Sequence, residues 1–465
     1  MSTLSPFEVE HIISELSRSF GNLDLAKYGT IAWIRDHAKF EKLNRTAHLQ
    51  AVESTDEYVI DLALSHSSNP PFLSKVIAEL VSIQFWREKV FPPLEESGAI
   101  EASASARSYL VFHHESVLLN FLEVAFFHKS AVSSLSDHVV DLVDLVYTKL
   151  VKTCQLQPKL QTLWRQSKIV TSHSATCLAE QVDLISYSQG LTCLNILRFL
   201  VDSRSDAPVT FTSRILRDFD IPMLLVPLLD NPPWVRVVPA PTRAKAATET
   251  AGAESLVEVF ADGQWSADSG FVSKSTAQVL LILYSLVLDP DCIARYELSS
   301  SSMRKDNLLR VRKFLTADVI DQIPLLGDLL RALEELAISG GINAGGLPGK
   351  GASVAGIFAV EIVPEFRDAL EQKFGAAGRA TDAIKELVAK LKKEVYRKDS
   401  KEEAMEIVEA LSVYDENFFE PAKMTCPVCN EAAEQRCSGC KKVFYCSRDC
   451  QVKHWSKHKL GCVAK

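Results

Sequence analysis

The chain has 465 residues, 51 Lys+Arg against 59 Asp+Glu, a formal net charge of −8, and is 47% hydrophobic. These are ordinary globular values, and the length suits two to four domains or one long repetitive body. The start, "MSTLSPFEVEHIISELSRSF", lacks a basic segment followed by an unbroken apolar core, and there is no run of about 18 apolar residues, so neither a secretory signal nor a membrane span is expected.

Without export, thiols stay reduced, the compartment is cytosol or nucleus, and clustered cysteines favour a metal over disulfides. No strong basic nuclear-import run is present. Residues 1–230 read as helix after helix. In "SLSDHVVDLVDLVYTKLV", Leu135, Val139, Leu142, Val143, Val146 and Leu150 form one apolar stripe, with Asp137, Asp141 and Asp144 off it. "SYLVFHHESVLLNFLEVAFFHKS" carries two apolar rows, Val117, Phe121, Val124 and Leu118, Leu122, Ala125, and is expected between neighbours on two sides. "CLAEQVDLISYSQGLTCLNILRFLV" continues the theme. Helix breaks are expected at "SSNPP" (67–71), "FPPLEESG" (91–98) and "DNPPW" (230–234). No fixed repeat period is evident. The fold class read from this is mostly α: an irregular armadillo- or HEAT-like solenoid, or a helical bundle, ending in a small C-terminal finger.

Residues 231–272 read as a connector with a hairpin signal, Asp262-Gly263 between two short apolar runs, and 235–255 as its loose part. Helices resume over 273–338. "SGGINAGGLPGKGASVAG" (339–356) reads as a Gly-rich linker: it has no preceding strand pattern and no Ser/Thr after its "GK", so it is no phosphate loop. More helices are expected over 357–420. No GxGxxG after a strand, HExxH or GxSxG is present, and the chain reads as a non-enzyme. His113, His114 and Glu115 are adjacent, but neighbouring helical residues point about 100° apart and cannot share an ion, so they and His128 read as packing or capping.

Seven of the eleven cysteines fall within residues 426–462. Cys426-x2-Cys429 and Cys437-x2-Cys440 are knuckles whose two sulfurs face one cation. Cys446-x3-Cys450 and His458-x3-Cys462 place two ligands one helical turn apart. Eight such ligands suit two tetrahedral zinc ions with no position left for catalysis, better than an iron–sulfur cluster or a disulfide knot. The spacing alone leaves open which pairs share an ion.

The segments "CPVC", "CSGC", "YCSRDCQ" and "HWSKHKLGC" resemble the MYND-type zinc finger. The resemblance implies interleaved pairs: Cys426, Cys429, Cys446 and Cys450 on one zinc, Cys437, Cys440, His458 and Cys462 on the other. His454 stays out of the second set because only His458 lies one turn from Cys462. The likeness also implies that Gln451 and Trp455, beside the "KKVFY" strand, contact a proline-containing peptide; the alternatives are a packing role for Trp455 between the zincs and a plain surface role for Gln451. From Lys423 onward the net charge is +6 against −14 for the rest. Seven thiolates and two zinc ions bring that tail to about +3, too little for nucleic acid, so the expected partner is a protein.

MYND fingers also occur in SET-domain methyltransferases, but neither the Asn-His-Ser-Cys-type signature nor the closing tyrosine motif appears. Beyond the finger, "FEKLNRTAHLQA", "WREKVFPPL", "VFHHES", "LEVAFFHKS", "DLVDLVYTKL" and "RKFLTADVIDQIPLL" resemble the MYND-finger factors for axonemal dynein arm assembly. That resemblance implies a cytoplasmic, co-chaperone-like adaptor for outer and inner dynein arms. The partners it implies are a leucine-rich-repeat assembly factor, a heat-shock chaperone with a prolyl isomerase, and dynein heavy and intermediate chains. The finger on its own also fits a nuclear corepressor adaptor.

Overall fold

The computed structural model describes residues 4–53, 56–98, 102–166, 178–239, 255–261, 264–296, 298, 302–339, 362–375, 381–397, 400–411 and, near the C-terminus, 428–429, 435–437, 443–459 and 462. The fold is mostly α, with a small sheet in the middle of the chain and the finger at the end.

The first helix, α1 (Pro6–Ser19), begins where local chemistry sets it. Ser5 accepts from the Glu8 amide, Glu8 accepts from the Ser5 amide at 2.8 Å, and Pro6 occupies the first helical position. Then come α2 (Ile31–Glu53), α3 (Tyr58–Ser65), α4 (Phe72–Lys89), α5 (Phe91–Glu96), α6 (Ala102–Phe126), α7 (Lys129–Leu135), α8 (Val139–Gln166) and α9 (Leu178–Asp202). The break expected at 91–98 is itself a short helix. Pro92 and Pro93 lie in its first turn, where their missing N–H groups cost nothing.

Helix α6 lies between α2, α4 and α9, and both of its expected apolar rows are buried. Helix α9 packs against α6, α8 and α12 (Lys274–Val287). Its stretch Gln181–Asp202 is long and apolar enough to cross a membrane by length and composition, although polar residues interrupt its apolar run. In this fold that stretch meets protein on several sides, and its polar groups have local partners. Gln189, for example, donates to the Phe112 carbonyl and the Ser116 hydroxyl, each at 3.1 Å.

Gly190 permits the close crossing of α8 and α9: a Cβ there would lie 1.8 Å from Thr153 Oγ1. Gly190→Ala is expected to lower the stability of the body by about 1–3 kcal/mol. Thr153→Ala in the same chain should return most of it, and chemical denaturation of the four variants in the cycle measures this.

After α10 (Val209–Ser213) and α11 (Ile221–Asp230), the segment expected to be a loose connector contains a strand, β1 (Val235–Pro239). It pairs antiparallel with β2 (Ser255–Ala261), which pairs in turn with β3 (Gln264–Ala267). Valine at 235, 237 and 238 is the β-branched signal that this reading passed over. Ala261 lies opposite Gln264, while Asp262 and Gly263 lie outside the described residues. The sheet is fixed to the helices by Phe260 on Tyr187, ring centroids 5.4 Å apart, and by the Trp234 indole donating to Thr276 Oγ1 at 2.8 Å.

Four more helices follow α12: α13 (Pro290–Tyr296), α14 (Ser302–Arg310), α15 (Ala317–Gln322) and α16 (Leu326–Ser339). The Gly-rich stretch 340–361 lies outside the described residues. The chain then turns back. Helix α17 (Glu365–Phe374) packs on α4 and α8, α18 (Asp382–Glu394) on α5, and α19 (Lys401–Leu411) on α2. One apolar cluster runs from Val9 to Tyr396, so these helices belong to the core of the N-terminal part. A stack in which each unit meets only its sequence neighbours would not do this.

Asp141 makes that return specific. It was expected off the buried stripe, yet it is 2% exposed because α17 covers it. Its carboxylate accepts from the amides of Glu365, Phe366 and Arg367 at 3.1–3.3 Å, capping a helix more than 220 residues away in sequence. Asp141→Ala should cost about 2 kcal/mol and Asp141→Asn less. Hydrogen exchange should rise first in α17, and unchanged protection there would refute this cap.

Two polar clusters occupy the interior. Glu115, fully buried, accepts from Arg87 at 3.1 Å and from Lys149, while Gln189 Oε1 accepts from Lys149 at 2.9 Å. This ties α4, α6, α8 and α9 together, and the two cations hold the Glu115 carboxyl low against the upward push of burial. On the far side of α6, His114 Nδ1 lies 2.8 Å from His37 Nδ1 on α2, with His113 beside them. The adjacent trio read from the sequence therefore splits between two environments, and neither is a site for an ion shared by all three. His128 is partly exposed and meets Glu57 at 2.8 Å, which links α7 to α3.

Candidate metal centre

Very little apolar surface holds the C-terminal segment together. Among its described residues only Cys437 and Tyr445 form a buried cluster. Two two-residue strands, β4 (Gln435–Arg436) and β5 (Phe444–Tyr445), pair antiparallel, and the Cys437 amide donates to the Val443 carbonyl at 2.8 Å. Helix α20 (Arg448–His458) follows, capped by Ser447, whose hydroxyl accepts from the Cys450 amide at 3.3 Å.

This arrangement gathers the described ligands into two groups, Cys429 with Cys446 and Cys450, and Cys437 with His458 and Cys462. In the first, the Sγ–Sγ distances are 3.2, 3.6 and 3.9 Å. In the second, Cys437 and Cys462 are 3.8 Å apart at sulfur. A tetrahedral zinc with Zn–S bonds of about 2.3 Å needs sulfurs about 3.8 Å apart, so both donor sets fit the ion. The groups are interleaved along the chain. Cys426 and Cys440, expected as the fourth ligand of each, lie outside the described residues. Among the described residues, no comparable grouping of three His, Cys or carboxylate ligands occurs in the body.

The helix carries the ligands differently from the one-face arrangement expected. Cys446 precedes the cap and Cys450 is in the first turn; His458 is the last helical residue and Cys462 lies beyond it. Each pair brackets one end of α20. His458 is eight positions after Cys450, about 12 Å along the axis, so the two groups are too far apart to share one ion. His454 is engaged elsewhere: its Nδ1 lies 3.0 Å from the hydroxyl of buried Tyr445. That tyrosine, which spacing did not single out, joins β5 to the helix.

The outer face of α20 carries Val452 and Trp455, 66% and 46% exposed and one turn apart. Trp455 meets the His458 ring at 5.9 Å yet is open to solvent, so it is not sealed between the two groups. Gln451 is half-buried on the same helix.

The family model for the MYND finger matches residues 426–462. Residues 426–462 are a MYND finger. Over 463 residues, 95% of both chains, the protein is 24% identical to the Zinc finger MYND domain-containing protein 10 homolog of Drosophila melanogaster. Shorter similarities join it to Ubiquitin carboxyl-terminal hydrolase 16 of Arabidopsis thaliana and to SET domain and MYND-type zinc finger protein 6 of Schizosaccharomyces pombe. The first is 35% identical over 20% of this chain and 8% of the relative; the second is 48% identical over 9% of each. Both cover too little to say anything of the helical body. No solved structure matches. The fly relative is collinear with the helical body and the MYND finger together.

Proposed function

We propose that the protein is a cytoplasmic adaptor for the preassembly of outer and inner axonemal dynein arms, and that its MYND finger grips a partner protein. The observation that carries this reading is the whole-length similarity to a MYND-finger relative, alongside the dynein-assembly resemblance of segments spread from residue 40 to residue 326. The physical features support it. A large helical body with a single core gives clients a broad surface on which to dock. A tip with two groups of metal donors and an exposed Val452–Trp455 pair on a helix that packs on β5 suits an extended peptide better than a reaction. The partners proposed are a leucine-rich-repeat assembly factor at the finger, a heat-shock chaperone with its prolyl isomerase, and dynein heavy and intermediate chains.

Loss of the protein from a ciliated cell should leave axonemes short of dynein arms by electron microscopy; normal arms would refute the reading. Imaging the tagged protein separates it from the corepressor alternative, which requires steady nuclear enrichment. Trp455→Ala should weaken capture of the leucine-rich-repeat partner while zinc content stays at two equivalents, because the side chain is exposed and supplies no ligand.

A further inference from the structure

The two halves of the finger differ in exposure and in donor chemistry. Cys429 is exposed, Cys446 and Cys450 are half-buried, and all three described donors there are thiols. Cys437 is 1% exposed and packed with Tyr445, Cys462 is half-buried like Cys446 and Cys450, and the group includes the buried imidazole of His458, so the difference lies in exposed Cys429 against buried Cys437 and His458. Thiolates in an open all-sulfur set are reached and oxidised by a small electrophile more readily than thiolates in a covered mixed set, and an imidazole nitrogen does not take part.

We propose that the Cys429–Cys446–Cys450 group is a redox-sensitive modification site, which peroxide converts to a Cys429–Cys446 disulfide while the Cys437–His458–Cys462 group persists. This rests on reading both groups as zinc sites. The pair is chosen by exposure and distance: Cys429 is the exposed thiol of the three, and Cys446 is the nearer of its two sulfur neighbours, at 3.2 Å against 3.9 Å for Cys450.

The chemistry balances with hydrogen peroxide as the two-electron oxidant. One thiolate attacks a peroxide oxygen, the O–O bond breaks, and hydroxide leaves with a proton from solvent as the first water. The second thiolate attacks the resulting sulfenic sulfur, the S–S bond forms, and the displaced hydroxide takes a second proton. Two thiolates, one peroxide and two protons become one disulfide and two waters. Two donors are then lost from one set, and what remains no longer holds an ion. Only the half of the finger that starts α20 is released; the end carrying His458 stays anchored.

The test uses the full-length zinc-loaded protein. Zinc content is measured before any oxidant is added, and fewer than two equivalents at that stage removes the zinc reading itself. Peroxide is then added in steps, with zinc release followed by a chromogenic chelator and disulfides located by peptide mass mapping. One equivalent should leave in a first phase, together with a Cys429–Cys446 linkage, and dithiothreitol with zinc should restore it. Release of both equivalents in one phase, or a first disulfide involving Cys437 or Cys462, would overturn the proposal. Cys429→His keeps a zinc donor but removes one sulfur of the pair, so its first phase should slow. An unchanged first phase in this variant also counts against the proposal, and if the variant binds no zinc, the wild-type map decides alone.

Discussion

Replacing Cys437 with alanine is expected to halve the zinc content of the protein and unfold the C-terminal tip without changing the melting of the helical body. The size of this effect follows from how little else holds the tip. The described part of the finger buries Cys437 and Tyr445 and pairs two residues in each strand. A buried tyrosine of this kind contributes about 1.5–3 kcal/mol. A structural zinc site contributes about 10–16 kcal/mol in small fingers, so the ion decides whether this segment folds. Removing the Cys437 sulfur leaves one donor set short while the Cys429 group, at the other end of α20, keeps its own. Cys440→Ala should behave alike if Cys440 completes that set. Elemental analysis with limited proteolysis reads the outcome: one equivalent of zinc, rapid cleavage beyond residue 412, and a protected body. A variant that still holds two equivalents would contradict the ligand assignment.

Acidification from pH 6.5 to about 4.5 is expected to destabilise the body steeply, before most carboxylates titrate. His37, His113 and His114 are packed among Trp33, Phe20, Phe40 and Tyr109. Burial lowers His37 to about 3 and His113 to about 4, and burial with cations nearby holds His114 well below the ordinary range. The charged groups that face them are Lys27 and Arg45, each already paired, with Glu79 and Glu41. The 2.8 Å contact of His37 with His114 requires one Nδ1 to donate and the other to accept, which a doubly protonated pair cannot do.

In the unfolded chain these groups take up protons near pH 6.5. The folded state does not until about pH 4 or below. Between those limits the unfolded state binds more protons, so stability falls as pH falls, by about 1.4 kcal/mol per pH unit for each histidine held neutral. Two pH units and three histidines give at most about 8 kcal/mol, of which Asp141 takes back about 2 because burial raises its carboxyl to about 7, and the remainder is still comparable to the whole stability of an ordinary domain. Urea midpoints by circular dichroism across pH 7.5–4.5 measure it. His114→Phe, an aromatic among aromatics, should remove about one third of the slope. A midpoint that stays flat above pH 5 in the wild-type chain would refute the account.

Metal chemistry was the most legible part of this molecule, because regular Cys and His spacing has few physical explanations other than an ion. Sequence proposed eight donors, of which the six described ones gather in two groups; it could not show that each pair brackets an end of α20, which depends on where Ser447 caps the helix. The helices were legible from their stripes, and the two apolar rows of α6 correctly foretold neighbours on both sides. What stayed hidden was long-range. The burial of Asp141 is set by α17, and the network around Glu115 draws on three other helices through Arg87, Lys149 and Gln189, so no local window contains either fact. β1 was missed for a different reason: five residues beside two prolines look like loop until a partner strand is found. Proline in "FPPLEESG" was read as a stop when it served as a start, a distinction that depends on whether the following residues meet a core, as Leu94 does.

Because α17, α18 and α19 lie across α4, α5 and α2, the stretch 362–411 is not an appendage. A message cut short ahead of residue 362 strips the lid from Phe85, Leu94 and their neighbours and leaves greasy surface for chaperones and proteases to find. Such a lesion would act as a loss of the entire polypeptide, whereas one falling after residue 411 would silence the tip and spare the rest.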